Sequence, residues 1–125
     1  MEVIAKEDCG NSPKNLFLKD FTIALAKGDA DYVLERVSNN LVWIDVGMPG
    51  NKGLDDIRQE LIKNQTGRIV KIELSRALSH GKAGAVDGVV LMADGRQLAF
   101  CCIIEFASAK ADRISLIKSY VVSVG

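Results

Sequence analysis

The sequence has few of the residues that most often build metal and redox sites. It contains one histidine and three cysteines, namely Cys9, Cys101 and Cys102. No Cys-x-x-Cys pair occurs, so the common zinc spacings and the thioredoxin-type redox motif are excluded. Adjacent strand residues point to opposite faces of a sheet, so a disulfide between Cys101 and Cys102 is not expected. We therefore expect reduced thiols in a protein with no metal ion and no cofactor.

An excess of charge of one sign and a long apolar run are absent as well. The 16 basic and 16 acidic residues cancel, so no overall field favours binding to nucleic acid or to an anionic membrane. No apolar run approaches the roughly 20 residues of a membrane-spanning helix. Residues 1–10 carry four charges and lack the apolar segment of a signal peptide. These absences predict a cytoplasmic protein without nucleic-acid or membrane partners.

The remaining composition is that of an ordinary globular domain. The chain has 125 residues, of which 48% are hydrophobic and 26% are charged. That length and that balance are typical of one folded domain. We expect a flexible N-terminal arm over residues 1–11 and a single domain over residues 12–125.

Signals for helices fill much of the first half of the chain. Ser12 offers an N-cap oxygen, and Pro13 suits the first position of a helix. Gly28 suits the left-handed conformation that ends a helix, and Asp29 can cap a short second helix. A third helix is predicted after the glycine-rich loop at residues 47–53.

Strand patterns fill the second half, after a first strand predicted over Leu41–Val46. The Asp94-Gly95 pair is the signal of a two-residue hairpin loop. Such a loop pairs Ala93 with Arg96 and places Asp87 opposite Cys102. The order of elements predicts an α+β domain with three N-terminal helices packed on an antiparallel sheet.

The order and spacing of these elements resemble the nuclear-transport-factor-2-like cone, and within it the ketosteroid-isomerase and SnoaL-like group. The features that carry the resemblance are the Gly28-Asp29 break, the strand from Val42 to Gly47, the loop that ends at Gly53, the Asp94-Gly95 hairpin and the closing strand from Ile114 to Tyr120. The resemblance covers nearly the whole chain after the arm. It implies a strongly curved antiparallel sheet that forms a cone around an apolar cavity. Because this fold hosts isomerases, cyclases, hydrolases, transport adaptors and association domains, it does not define a function.

The resemblance also assigns three positions of the ketosteroid-isomerase site. It places Asp45 where those enzymes carry the aspartate that moves the proton. It places Phe21 and Ile104 where they carry the tyrosine and the protonated aspartic acid that hold the enolate oxygen. Loss of one such donor costs roughly 3–4 kcal/mol of transition-state stabilisation. Steroid isomerisation by that mechanism is therefore not expected, although the position of the base is filled.

Two acidic residues in apolar strands are candidates for chemistry. Asp45 shares a strand face with Trp43, where poor solvation would favour the neutral acid and suit a general base near neutral pH. The alternative is that Asp45 caps the loop at residues 47–53 or meets solvent. The resemblance places Cys102 on the concave face of the cone, so Asp87, opposite Cys102 in the predicted register, would face the cavity as well. The alternative is a solvated position at the rim. The residues expected to line the cavity are Phe21, Trp43, Asp87, Cys102, Ile104, Ile117 and Ser119.

Two classes of function follow from these residues. The first is a protein that binds a small hydrophobic molecule, including an isomerase-like, cyclase-like or hydrolase-like enzyme with Asp45 as its base. The second is a non-catalytic association domain. In both cases Cys101 and Ile103 would leave the convex face of the sheet apolar, which predicts a homodimer through that face.

Overall fold

The computed structural model describes residues 1–6, 12–108, 110 and 112–124. The helices are α1 (Pro13–Lys27), α2 (Ala30–Leu34) and α3 (Leu54–Asn64). The strands are β1 (Glu2–Ala5), β2 (Val37–Asp45), β3 (Ile69–His80), β4 (Ala83–Met92), β5 (Gln97–Phe106) and β6 (Ile114–Val124). The α+β class and the three helices predicted from the sequence are therefore observed. Among the described residues, no helix is long and apolar enough to cross a membrane.

Local sequence signals set both ends of α1. The Ser12 hydroxyl accepts a hydrogen bond from the Asn15 backbone N–H at 3.1 Å, as an N-cap does. At the other end, Gly28 adopts the left-handed conformation with φ 79°. A Cβ on Gly28 would lie 2.6 Å from the Leu61 carbonyl oxygen of α3. Glycine is needed there for its conformation and for the close packing of α1 against α3.

The six strands form one mixed sheet in the order β1-β3-β4-β5-β6-β2. The pairs formed by β3, β4, β5 and β6 are antiparallel, whereas β1 pairs with β3 and β2 pairs with β6 in parallel. The prediction of an antiparallel sheet is thus correct for the four central strands and wrong at both edges. Parallel neighbours need long connections, and the pairing of β2 with the last strand is not visible in any short stretch of sequence.

The first residues of the chain differ from the predicted arm. Glu2 to Ala5 pair in register with Lys71 to Leu74, and the Lys6 N–H donates to the Leu74 carbonyl at 3.2 Å. The segment covers backbone groups that would otherwise be unpaired at the edge of β3. Residues 7–11, which the prediction also placed in the arm, lie outside the described residues.

The hairpin between β4 and β5 has a three-residue loop instead of the predicted two-residue loop. The Met92 N–H donates to the Arg96 carbonyl at 2.8 Å, and the Gly95 N–H donates to the Met92 carbonyl at 3.0 Å. Gly95 is left-handed, with φ 92°, which is typical of a turn closed by a glycine bulge. The extra residue shifts the pairing by one position and so exchanges the two faces of β4 relative to the prediction.

The corrected register defines two faces of the sheet. The helix-packed face carries the core, including Val86, Ile104 and Ile117, against Leu18 and Phe21 of α1. We call the opposite side of the sheet the outer face. On that face Cys101 of β5 lies between its two register partners, Asp87 of β4 and Tyr120 of β6. Ile117 and Ser119, which were expected to be among the cavity residues, are both buried.

Candidate functional site

An apolar pocket of about 180 Å³ lies on the helix-packed face. Its volume is below the roughly 300–1,000 Å³ typical of sites for drug-sized ligands, so it suits a smaller molecule. The walls come from α1, α3 and every strand except β1. The lining residues are Thr22, Leu25, Ala26, Trp43, Glu60, Asn64, Arg68, Ile69, Ile72, Val90, Met92, Leu98, Phe100, Cys102 and Val121.

One end of this pocket carries a polar network that starts on α3. The Asn64 side-chain amide donates to the Leu25 carbonyl of α1 at 2.7 Å, and its oxygen accepts from Arg68 Nε at 2.9 Å. Arg68 Nη2 also donates to Glu60 Oε1, which makes an ion pair. Because Asn64 is buried and bonded on both sides, it holds the guanidinium of Arg68 in one orientation.

Another part of the wall has a short chain of polar groups behind its apolar surface. Trp43 Nε1 donates to Ser119 Oγ at 3.2 Å, and Cys102 Sγ lies 3.4 Å from the same oxygen. Burial raises the pKa of the Cys102 thiol, and the hydrogen bond to Ser119 opposes that shift. Cys102 therefore remains a protonated thiol at neutral pH and contributes a small apolar surface rather than a nucleophile.

Asp45 lies beside the pocket but is not one of its lining residues. Its Oδ2 forms an ion pair with Lys52 Nζ at 2.5 Å, and that ammonium lies 5.1 Å from the centre of the Trp43 ring. Backbone hydrogen bonds of 2.8 Å in both directions between Trp43 and Lys52 fix the loop strand that carries the lysine. The hydrogen bond to Asp45 raises the pKa of Lys52.

This ion pair corrects the expectation of a poorly solvated carboxylate at Asp45. The side chain is 26% exposed and is paired with the Lys52 ammonium, so the carboxylate is not isolated against an apolar wall. The alternative prediction, in which Asp45 caps the loop at residues 47–53, is closer to what is observed. The contact, however, is with the side chain of Lys52 and not with backbone N–H groups of the loop.

Asp87 is also placed differently from the prediction. The one-residue shift of the hairpin puts Val86 opposite Cys102, and Asp87 opposite Cys101. Asp87 therefore lies on the outer face, away from the pocket. Its Oδ1 atom is buried and has no hydrogen-bond partner within the described parts of the chain.

Comparisons with known proteins identify the fold. No family model and no curated protein matches the chain. Among solved structures, the chain resembles an NTF2-like protein of unknown function from Burkholderia xenovorans, with a TM-score of 0.73 and 16% identity over 90% of this chain and 84% of the other. The chain has the NTF2-like fold.

Two further structures with the NTF2-like fold come from named groups. One is the epoxide hydrolase/cyclase-like enzyme SalBIII, with a TM-score of 0.72 and 15% identity over 90% of this chain and 93% of that one. Another is a protein of the SnoaL-like family from Agrobacterium tumefaciens, with a TM-score of 0.65 and 11% identity over 89% of this chain and 99% of that one. The NTF2-like and SnoaL-like resemblance predicted from the sequence is therefore confirmed at the level of the fold.

Within the NTF2-like fold of this chain, the predicted site residues separate into groups. Trp43 and Cys102 line the pocket, and Ser119 supports both of them from behind. Phe21, Ile104 and Ile117 belong to the buried core and are not among the lining residues. Asp45 is beside the pocket and Asp87 is on the other face.

Sequence reasoning missed the polar network of Glu60, Asn64 and Arg68. The available signal was their spacing of four residues, which places i and i+4 side chains next to each other on a helix. That pattern extends past the end of α3, where Arg68 is brought back over the last turn. The described residues contain no cluster of histidine, cysteine or acidic side chains that could hold a metal ion.

Proposed function

We propose that this protein binds a small and mainly apolar molecule in the pocket between α1, α3 and the sheet. The observation that carries the proposal is the combination of an apolar wall with a fixed polar network at one end. Few, well-placed polar groups in an apolar recess are typical of sites for small molecules. The fold is compatible with this role, because SalBIII, which shares it, is described as an epoxide hydrolase/cyclase-like enzyme in pyran ring formation.

The proposal assigns the pocket to binding and leaves Asp45 without a catalytic role. Proton abstraction by Asp45 requires that its carboxylate be released from Lys52, and the pair is held by a 2.5 Å contact. A general base must also lie within hydrogen-bond reach of the proton that it takes. Asp45 is not among the residues that line the pocket, so binding is the function that the geometry supports best.

The test uses the fluorescence of Trp43, which is the only tryptophan of the chain and lines the pocket. Titration with cyclohexanone and with methylenecyclohexane should change its emission in a saturable way. Val121 lines the pocket and is 53% exposed, so Val121→Phe should fill the space with little strain and weaken binding at least tenfold.

The matched control for that variant is Val122→Phe. Val122 is the next residue of β6 and lies on the outer face, so the same substitution adds an aromatic ring away from the pocket. The control should bind both compounds as the unmodified protein does. Equal weakening by the two variants, or a wild-type emission that neither compound changes, would contradict the proposal.

A second candidate function, association between copies of the chain, is favoured by the outer face. This face exposes large apolar side chains on β3, β5 and β6, and no helix of the described residues packs over it. The exposed residues are Leu78, Ile103, Tyr120, Val122 and Val124. We propose that they form a homodimer interface, because contiguous exposed apolar surface of this kind marks interaction sites. This interface and the pocket lie on opposite faces, so the two functions are compatible.

A further inference from the structure

We infer that the pocket selects an electrically neutral ligand that carries a hydrogen-bond-accepting oxygen, and that Arg68 donates to that oxygen. This inference rests on the proposed function and specifies the chemical class of its ligand. Carbonyl, ether and epoxide oxygens belong to that class, whereas a hydrocarbon and a carboxylate do not.

Arg68 is the donor that the pocket leaves available. A guanidinium has five N–H donors, and the described part of the chain engages Nε with Asn64 and Nη2 with Glu60. No acceptor in that part of the chain contacts Nη1. Because Asn64 is itself fixed to the Leu25 carbonyl, the free edge of the guanidinium is held in place before a ligand arrives, which reduces the entropic cost of binding.

Thr22 and Trp43, which also line the pocket, have already used their donors. The Thr22 hydroxyl donates to the Leu18 carbonyl at 2.8 Å, which is a backbone group of its own helix. Trp43 Nε1 donates to Ser119. An oxygen atom of a ligand in this pocket therefore finds its strongest donor at Arg68, and an apolar surface elsewhere.

The charge of the site excludes an anionic ligand. The Glu60 carboxylate already neutralises Arg68, and the nearby Lys52 is neutralised in the same way by Asp45. A ligand carboxylate would have to displace Glu60 from the guanidinium and leave that carboxylate unpaired in a partly buried position. That displacement exchanges one carboxylate for another on the same guanidinium and leaves Glu60 unpaired, whereas a neutral acceptor can bind while the Arg68–Glu60 pair stays intact.

The first experiment compares two neutral probes of the same shape. Cyclohexanone and methylenecyclohexane differ in having C=O or C=CH₂ at one ring position. Replacement of Arg68 by Met should weaken cyclohexanone binding about tenfold, because a hydrogen bond from a charged donor is lost. Binding of methylenecyclohexane should stay within twofold, because it makes no such bond. Trp43 fluorescence reports both dissociation constants.

The second experiment changes the charge of the site without removing Arg68. In Glu60→Gln the amide oxygen can still accept from Arg68, but the guanidinium is no longer neutralised. Cyclohexanecarboxylate, which we expect to bind the unmodified protein at least tenfold more weakly than cyclohexanone, should gain about tenfold in affinity in this variant. Glu105→Gln is the control, because Glu105 is an exposed carboxylate of β5 outside the pocket lining, and it should leave all affinities unchanged.

The possible results separate the inference from the function on which it rests. Equal weakening of both neutral probes by Arg68→Met would show that the arginine is only structural and would overturn the inference. Tighter binding of the carboxylate than of cyclohexanone by the unmodified protein would also overturn it. In both cases the pocket would still be a binding site, whereas the failure of every probe to bind would contradict the proposed function as well.

Discussion

The ion pair of Asp45 with Lys52 makes a small contribution to stability that depends on pH. Asp45→Asn should lower the free energy of unfolding at pH 7 by less than about 1 kcal/mol, because the pair is partly exposed and screened by solvent. A strained carboxylate would give the opposite sign, since its removal would stabilise the protein. Urea unfolding of the two proteins at pH 7 distinguishes these cases, and a more stable Asn variant would contradict the account.

Alkaline pH provides a second check on the same pair. The hydrogen bond to Asp45 raises the pKa of Lys52 above its ordinary value of 10.5. The stabilisation is therefore fully present below pH 10.5 and is lost as the pH rises through the higher folded-state value. The difference in unfolding free energy between wild type and Asp45→Asn should shrink between pH 10 and pH 12. A difference that stays constant over this range would exclude the pair as its cause.

Cys102 should behave as an unreactive thiol of the pocket wall. In a Cys9→Ser, Cys101→Ser background, alkylation of the folded protein by iodoacetamide at pH 8 should be at least tenfold slower than alkylation in urea. Burial raises the pKa of this thiol, which reduces the thiolate that reacts, and it also restricts access to the sulfur. Similar rates in the folded and unfolded protein would show that Cys102 is exposed and does not belong to a wall.

At the scale of elements, the contact between β3 and β4 depends on Gly88. The register between these strands shifts between Leu74 and Arg76, and a Cβ on Gly88 would lie 2.0 Å from the Glu73 carbonyl oxygen. Gly88→Ala should therefore destabilise the protein by about 1–3 kcal/mol, as overpacking against backbone does.

Gly53→Ala is the comparison for that variant. The nearest atom to a Cβ on Gly53 is 3.9 Å away, and its φ is −125°, so alanine fits without a clash. Its cost should be smaller and limited to the weaker N-cap preference of alanine for α3. Thermal or urea unfolding measures both changes, and equal losses would mean that the close approach at Gly88 is not what requires glycine.

Elements governed by local chemistry could be predicted from the sequence, whereas pairings between distant segments could not. Ser12, Gly28 and Asp29 act on backbone groups a few residues away, and the ends of α1 and the start of α2 follow from them. The hairpin depended on the conformation of Gly95, and two-residue and three-residue loops are both compatible with its sequence. One residue of loop length was enough to move Asp87 from the pocket to the outer face.

The candidate site was predicted less completely than the fold for the same reason. Trp43 could be placed beside Asp45 from strand alternation, and Cys102 could be placed on the concave face from the family resemblance. The partners of the charged groups could not, because Lys52 lies in a glycine-rich loop and Arg68 lies beyond the end of α3. Lys52 reaches Asp45 only through the packing of its loop against β2, and the four-residue spacing from Glu60 to Arg68 is a helical signal, whereas α3 ends at Asn64 before Arg68 is reached.

At the scale of the whole molecule, the outer face should determine the oligomeric state. Val122 is 63% exposed and lies between Tyr120 and Val124 on the outer face of β6, so Val122→Glu would place a charge in the proposed dimer interface. We expect the unmodified protein to sediment as a dimer at micromolar concentration, and this variant to sediment as a monomer, because interface cores exclude unpaired charges.

Ile62→Glu is the matched control for that variant. Ile62 is 56% exposed but lies on α3, away from the outer face, so the substitution adds the same charge to a surface that remains in solvent. This control should stay dimeric. A wild-type monomer at micromolar concentration, or dissociation of both variants, would contradict an interface on the outer face.

The central claim, that the pocket binds a small molecule, can be tested most directly by locating the bound molecule. Methyl groups of isoleucine, leucine and valine occur on both faces of the sheet, so their NMR signals distinguish the two sides during titration with cyclohexanone and methylenecyclohexane. The account predicts saturable shifts for the pocket methyls of Ile72, Val90 and Leu98, and none for the outer-face methyls of Ile103 and Val122. Shifts confined to the outer face, or an unchanged spectrum with both compounds, would contradict it.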